Sequence, residues 1–315
     1  RGCNQFCTYC IVPYVRGREK SREITDICEE VRRLVDRGTK EIFLLGQNIT
    51  AYGVAEARQA GGFDIETDSP FADLLHAVAA IPGVERIRFT SPHPRFMNDT
   101  FIDAVADIPQ VCEAFHVPLQ SGADRILDAM HRGYDSERYL EIADKLKTRV
   151  PGCSLSTDVI VGFPGETDED FDATRRVMNE VGFDMAYVFK YSPRSGTKAA
   201  DLADDVPTAV KEERNQILLA DLESRALELN RRFVGKTVEV MVDGPSRRNA
   251  KRWSGRSREN KVCLFDPVES IEVGDIVTLR VERVTASSLM CGLVGNASIM
   301  RGIDCRLGVC PGHRT

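Results

Sequence analysis

Three cysteines stand close together near the start of the chain, Cys3, Cys7 and Cys10, separated by three and then two residues. Thiolates are soft ligands, so this grouping points to metal chemistry. A structural zinc site closes four ligands around the ion, commonly as two pairs of cysteines. A cubane iron–sulfur cluster has four irons, ordinarily held by four thiolates. Three thiolates leave one iron open, and an open position is what chemistry at a metal needs. A zinc knuckle, or cysteines buried without any ligand, also fits the spacing taken alone.

Such a loop needs a frame. Ile24, Ile27, Cys28, Val31, Leu34 and Val35 recur at helical spacing, with Gly38 closing the turn. "EIFLLG", "RIRFTS", "AFHVPLQ", "SLSTDVIVGF" and "MAYVFKYS" read as strands, and four helical stretches fall between them. Alternating strands and helices predict a parallel sheet with ligands at the C-terminal strand ends. Five strands are visible and a sixth is expected before Arg1, which makes an α/β partial barrel of six βα units. Arg1 is not a start methionine, so a preceding N-terminal part is expected to be missing. A long helix follows, with Leu218, Leu222, Ala226, Leu229 and Phe233 on one face. Short strands with Gly, Asp and Pro turns then predict a small all-β barrel. The expected boundaries are 1–206 for the first domain, 207–233 for the helix, 234–294 for the barrel and 295–315 for a tail.

The loop and the strand ends together resemble the radical S-adenosylmethionine superfamily. "RGCNQFCTYCIVPYVRGRE", "LLGQNITAYG", "VPLQSGADRILDAMHRGY", "STDVIVGFPGETDEDF" and "FKYSPRSGTKAA" are similar to the MiaB-type tRNA methylthiotransferases, in register from Arg1 to about Val294. The resemblance implies a [4Fe-4S] cluster on Cys3, Cys7 and Cys10. It also implies S-adenosylmethionine chelated to the open iron and reductive cleavage to a 5′-deoxyadenosyl radical. Gly46, Gln47 and Asn48 are then expected at the methionine end of the cofactor. Gln120 and Ser121 become candidates for its ribose or carboxylate, Asp158 for its ribose hydroxyls, and Val161 and Gly162 for its adenine edge. Tyr9 is expected to pack near the adenine. His93, His116 and His131 are weak candidates, with His116 reading as core or barrel lining rather than a ligand, and Cys28, Cys112 and Cys153 read as core.

The whole chain carries a net charge of −6 and is 42% hydrophobic, which excludes a generally basic nucleic-acid coat. Against that background, Ser246 to Lys261 holds seven basic residues and one acid. Arg247, Arg248, Lys251, Arg252, Arg256 and Arg258 can neutralise phosphates, and Trp253 can stack on a base. Within a small β-barrel, this stretch resembles the TRAM domain, an OB-like RNA-binding module. Arg16, Arg18 and Arg22 beside the cysteine loop are further candidates for RNA. The implied partner is a tRNA anticodon loop, whose unpaired bases can be splayed into a pocket. An electron donor such as flavodoxin or ferredoxin is implied as well.

No apolar run is long enough for a membrane span, and ten cysteines in a chain this large suit a reducing cytoplasm better than a disulfide scaffold. The family carries a second [4Fe-4S] cluster in its N-terminal domain, which is expected to lie in the missing part. Cys291, Cys305 and Cys310 do not have that domain's spacing. The reaction the resemblance implies is methylthiolation at C2 of N6-isopentenyladenosine next to the anticodon. A sister enzyme acting on threonylcarbamoyl-adenosine or on a ribosomal protein, and an inactive tRNA-binding fragment, stand as alternatives.

Overall fold

The computed structural model describes residues 1–294 and the backbone of 299–300. Two compact units divide at Leu229 and Asn230.

In the first unit, helices and strands alternate along the chain. Helix α1 (Val12–Arg16) and helix α2 (Ile24–Val35) lead into strand β1 (Glu41–Leu44). Then come α3 (Val54–Ala60), α4 (Pro70–Ala79) and β2 (Arg86–Phe89), followed by α5 (Asp99–Asp107) and β3 (Ala114–His116). The order continues with α6 (Asp124–Ala129), α7 (Ser136–Arg149), β4 (Ser154–Val161), α8 (Asp168–Val181) and β5 (Met185–Lys190). Strand β1 pairs with β2, β3 with β4, and β4 with β5, all parallel. An Ile87–Val111 bridge joins the two groups. The strands thus lie in chain order, and the open βα barrel expected from the alternation is present, with five parallel strands among the described residues. The short helices α1, α3 and α6 lack a full apolar repeat and escaped the sequence reading.

Local chemistry sets the helix starts. Ser69, Asn98 and Asp135 each accept a backbone N–H at the first turn of α4, α5 and α7. Thr167 and Asp170 form a reciprocal capping box at α8. The core lies between helices and sheet. Phe71, Phe89 and Phe101 pack with centroids 5.2–6.1 Å apart, edge-on or offset, each such pair adding about 0.5–1.5 kcal/mol to simple burial. The outer edge of β1 has no strand beside it among the described residues. There Phe43 and Leu45 are 51% and 74% exposed. A cavity of about 450 Å³ runs past them, lined by α2, β1, Gln47 and Asn48.

Helix α9 (Thr208–Arg231) leads to the second unit. Its strands are β6 (Thr237–Pro245), β7 (Trp253–Ser257), β8 (Val262–Phe265), β9 (Ile276–Val284), β10 (Leu289–Leu293) and the short β11 (Ile299–Met300). Strand β10 pairs with both β8 and β9, so β6 to β10 close into a five-stranded barrel. The β8–β10 contact is parallel and the rest antiparallel, the OB-like arrangement expected. Val240, Val242, Cys263, Phe265, Val277, Leu279 and Leu289 fill it.

Candidate functional site

The cysteine loop is clasped at its base. Lys20 N–H donates to the Arg1 carbonyl at 2.8 Å and Cys3 N–H to the Gly17 carbonyl at 3.3 Å. Gly2 has φ +76°, and a Cβ there would stand 2.1 Å from the Arg18 carbonyl oxygen, so only glycine fits this crossing. Farther along, Thr8 ties the loop to the end of α6. Its N–H donates to Met130 O at 3.0 Å and its hydroxyl to Ala129 O at 2.8 Å. A turn from Cys10 N–H to Cys7 O at 3.0 Å fixes the second cysteine spacing. Cys7 is 8% exposed, and Cys3 and Cys10 are half-buried.

None of the three is in a disulfide. Among the described residues, no three Cys, His, Asp or Glu side chains are placed to share one metal ion. A cubane does not require that, because each thiolate takes a separate iron. Burial, with the neighbouring thiols and Glu19, pushes the Cys3 thiol up, and burial does the same to Cys10. A cationic metal core would favour the thiolate form against that burial. This donor set fits a three-thiolate cluster.

The strand ends supply a second test. Asn48 and His93 follow β1 and β2, and both are buried. Thr50 links them: its hydroxyl lies 3.1 Å from Asn48 Oδ1 and accepts the His93 N–H at 2.9 Å. His93 Nδ1 accepts from Arg95 N–H at 3.3 Å, which leaves the ring proton on Nε2. Asn48 Nδ2 and His93 Nε2 are then buried donors with no hydrogen-bond partner. Orphaned buried donors are costly, so an acceptor belongs there. The carboxylate of S-adenosylmethionine has the required chemistry. Gly46 and exposed Gln47 lie on the same stretch, Gln47 lining the cavity.

The other expected cofactor residues are more occupied. Gln120, at φ +69°, donates its N–H to Asp158 O and accepts from Ile160 N–H, so its strained backbone continues the sheet. Ser121 is buried against Thr174 Oγ1 at 3.2 Å. Asp158 lies within β4, three residues before its end, with Oδ2 3.3 Å from His116 Nε2. The Val161 carbonyl accepts Tyr191 N–H, and Gly162 N–H donates to Glu166 Oε2 at 2.9 Å. Glu166 in turn meets buried Arg214 of α9 at 2.7 Å, a clamp on this turn that no sequence period announces. The Tyr9 ring packs beside Phe163, Tyr191 and Met130, and burial pushes its phenol up.

In the C-terminal barrel, Arg247, Arg248 and Lys251 are exposed on the β6–β7 loop, and Arg256 is exposed on β7. Arg258 is half-buried. Arg252 is drawn down, with Nε 3.4 Å from Asp266 and Nη1 3.6 Å from Met290 Sδ. Trp253 alternates inward with Gly255 and Ser257 and packs against Phe265 at 6.5 Å. In the first unit, Arg22 is paired with Glu30 at 2.6 Å, which occupies one of the flanking arginines. Cys291 is buried beside Cys263, and Cys305 and Cys310, whose spacing does not suit a cluster, lie outside the described residues.

Residues 1–178 match the radical SAM superfamily and residues 231–291 match the TRAM domain. The chain belongs to the radical SAM superfamily. It is 48% identical to the tRNA-2-methylthio-N(6)-dimethylallyladenosine synthase of Acetivibrio thermocellus, over 93% of this chain and 59% of that protein. The synthase of the same name from Alkaliphilus oremlandii is 47% identical over 91% of this chain and 59% of its own length. The chain thus spans about 59% of the length of these curated relatives. Among solved structures, the radical S-adenosylmethionine methyltransferase TsrM from Kitasatospora setae aligns with a TM-score of 0.50 at 17% identity. That alignment covers 63% of this chain and 34% of TsrM, and it bears on the fold alone.

Within this radical SAM frame, the sequence reading passed over Arg132 and gave His93 little weight. Arg132 sits in "DAMHRGY", between α6 and α7, where nothing in the local pattern marks a buried cation. His93 in "SPHP" reads as an ordinary turn histidine. Two prolines just past a strand end, in "SPHP", were the one signal available for His93.

Proposed function

We propose that this chain is the cluster-binding and RNA-binding portion of a tRNA methylthiotransferase. The reaction would place a methylthio group at C2 of N6-isopentenyladenosine beside the anticodon. The observation that carries this reading is the clasped Cys3, Cys7 and Cys10 loop at the barrel mouth, in a chain whose relatives of 47–48% identity carry that synthase name. The reading places the protein in the cytoplasm; among the described residues no helix is long and apolar enough to cross a membrane.

Bound here, a reduced [4Fe-4S] cluster and S-adenosylmethionine supply a 5′-deoxyadenosyl radical. Cys3, Cys7 and Cys10 hold the cluster. Asn48 and His93 would donate to the carboxylate of the cofactor, and Gln47 would offer its side-chain carbonyl to the amino group. Tyr9 walls the site from water. The exposed arginines and Lys251 of the barrel loop hold tRNA phosphates while an unstacked anticodon-loop base enters the open barrel. A flavodoxin or ferredoxin provides the electron. A further cluster for sulfur insertion is proposed in the additional length that the relatives possess.

The test has two arms. Anaerobically loaded protein given a strong reductant is expected to release 5′-deoxyadenosine, and a fully iron-loaded chain that releases none would sink the radical reading. Mass spectrometry of nucleosides from isopentenylated and from threonylcarbamoylated tRNA, treated with protein of the relatives' full length, decides the substrate. A product only on the second tRNA favours the sister reaction.

A further inference from the structure

Arg132 is 6% exposed, and every polar contact of its guanidinium points toward the cysteine loop or its support. Nη1 donates to Cys7 Sγ at 3.3 Å and lies 3.4 Å from the Tyr9 hydroxyl. Nε donates to the Tyr134 hydroxyl at 3.0 Å, and Nη2 to the Pro118 carbonyl at 3.4 Å. The group stacks 5.2 Å from the Tyr134 ring. Among the described residues no carboxylate pairs with it, whereas buried Arg86 and Arg214 each have one, Glu41 and Glu166. A buried cation is ordinarily paired, because leaving water is costly. Neutral hydroxyls and a carbonyl satisfy the N–H groups of Arg132 but not its charge. The anion it lacks is on the loop it touches.

Resting on the cluster reading above, we infer that Arg132 is the counter-cation of the cluster site and sets its reduction potential. A cubane core held by three thiolates is anionic, and one-electron reduction makes it more so. A fixed positive charge beside Cys7 Sγ stabilises the reduced form over the oxidised form. Hydrogen bonds to cluster sulfurs and nearby charge are recognised means of tuning such potentials. Arg132 is a positioning and tuning residue. It also orients Cys7, through a contact that reaches the loop from a segment 125 residues away. A purely structural brace would use the same contacts but would leave the potential unmoved once the protein was loaded.

The experiment compares the wild-type chain with Arg132→Met and Arg132→Lys after anaerobic loading with iron and sulfide. Iron and sulfide per chain are measured first. The reduced fraction is then followed by EPR across a mediator-buffered titration with dithionite or titanium(III) citrate as reductant. The Met variant is expected to show at least a tenfold lower reduced-to-oxidised ratio at a fixed potential, about 59 mV for a one-electron couple. The Lys variant, which keeps the charge, is expected to recover most of that loss. A Met variant with full iron and an unchanged midpoint overturns the inference, as does a Lys variant displaced as far as the Met variant. Should the Met variant fail to load, wild-type protein labelled with guanidino-15N arginine is read by pulsed EPR of the reduced cluster. A nitrogen coupling that disappears in Arg132→Lys supports the contact, and no coupling in wild type overturns it. A wild-type chain that takes up no iron overturns the cluster reading itself, and this inference with it.

Discussion

The two units place their candidate chemistry in opposite ways. In the first, the informative groups are buried: Cys7, Asn48, His93 and Arg132 all lie inside, with donors or charge left uncompensated. In the second, they are exposed: Arg247, Arg248 and Lys251 project from a loop of a barrel whose own core is mainly apolar. Chemistry on a reactive cofactor needs exclusion of water and fixed dipoles, so its polar groups are buried and incomplete until the ligand arrives. Phosphate binding needs mobile positive charge at the surface and can tolerate water. Unsatisfied burial marks the first kind of site, and unpaired exposure the second.

This contrast breaks most sharply at the cysteines. Replacing Cys3, Cys7 or Cys10 with Ala is expected to abolish the reconstituted cluster, measured as iron per chain and visible absorbance. Replacing Cys28, buried in the helix layer, is expected to leave both unchanged. Equal iron in the two sets would erase the distinction.

Next in size is the clamp behind β4. Glu166→Ala leaves buried Arg214 with only the exposed carboxylate of Asp168, and the Gly162 N–H without an acceptor. A loss of about 2–4 kcal/mol is expected in urea unfolding of the first unit, from the orphaned N–H and the weakened ion pair. A change below about 1 kcal/mol would mean that water replaces the carboxylate there.

Trp253 tests the second unit from inside. Its indole packs edge-on against Phe265 but is only half-buried. Trp253→Ala is therefore expected to cost about 2–3 kcal/mol in thermal unfolding, below the 3–5 of a fully buried aromatic. Its effect on tRNA affinity, measured with folded protein, is expected to stay under about 1 kcal/mol. A larger affinity loss with intact stability would assign the ring to base stacking.

The exposed loop is the complementary test. Arg247, Arg248 and Lys251 replaced together by Ala should lower the slope of log affinity for tRNA against log salt by roughly two. Stability should not change, since these side chains project into solvent. An unchanged slope would place the RNA face elsewhere on the barrel.

The smallest effect concerns pH. Burial, then Arg132 and Arg95, hold His93 well below the ordinary imidazole value of 6.5. Below about 6.5 the unfolded chain binds a proton that the folded chain refuses. Stability is then lost as pH falls, by up to about 1.4 kcal/mol per pH unit. His93→Gln is expected to remove that part of the slope, read from urea midpoints between about pH 5 and 7. Parallel slopes in the two proteins would mean that His93 is charged when folded.

The sequence by itself determined the alternation of strands and helices, because periodic burial is written into each segment. All five parallel strands appear within a few residues of their apolar runs, and so does the barrel of short β-strands. It marked the three-cysteine loop as a candidate metal site too, since three soft ligands at close spacing suggest metal chemistry before any fold is known. It equally exposed the basic loop, whose charge is a matter of composition. Only the tertiary structure decided which polar groups lack partners. Asn48 and His93 lie 45 positions apart, and Arg132 reaches Cys7 across 125. Whether a donor is satisfied depends on what the folded chain brings within about 3.5 Å of it, and no local pattern encodes that distance. The same holds for Trp253, whose type suited stacking on a base while the inward alternation of β7 turned it onto Phe265. Side-chain type is local, but burial and partnership are properties of the assembled fold.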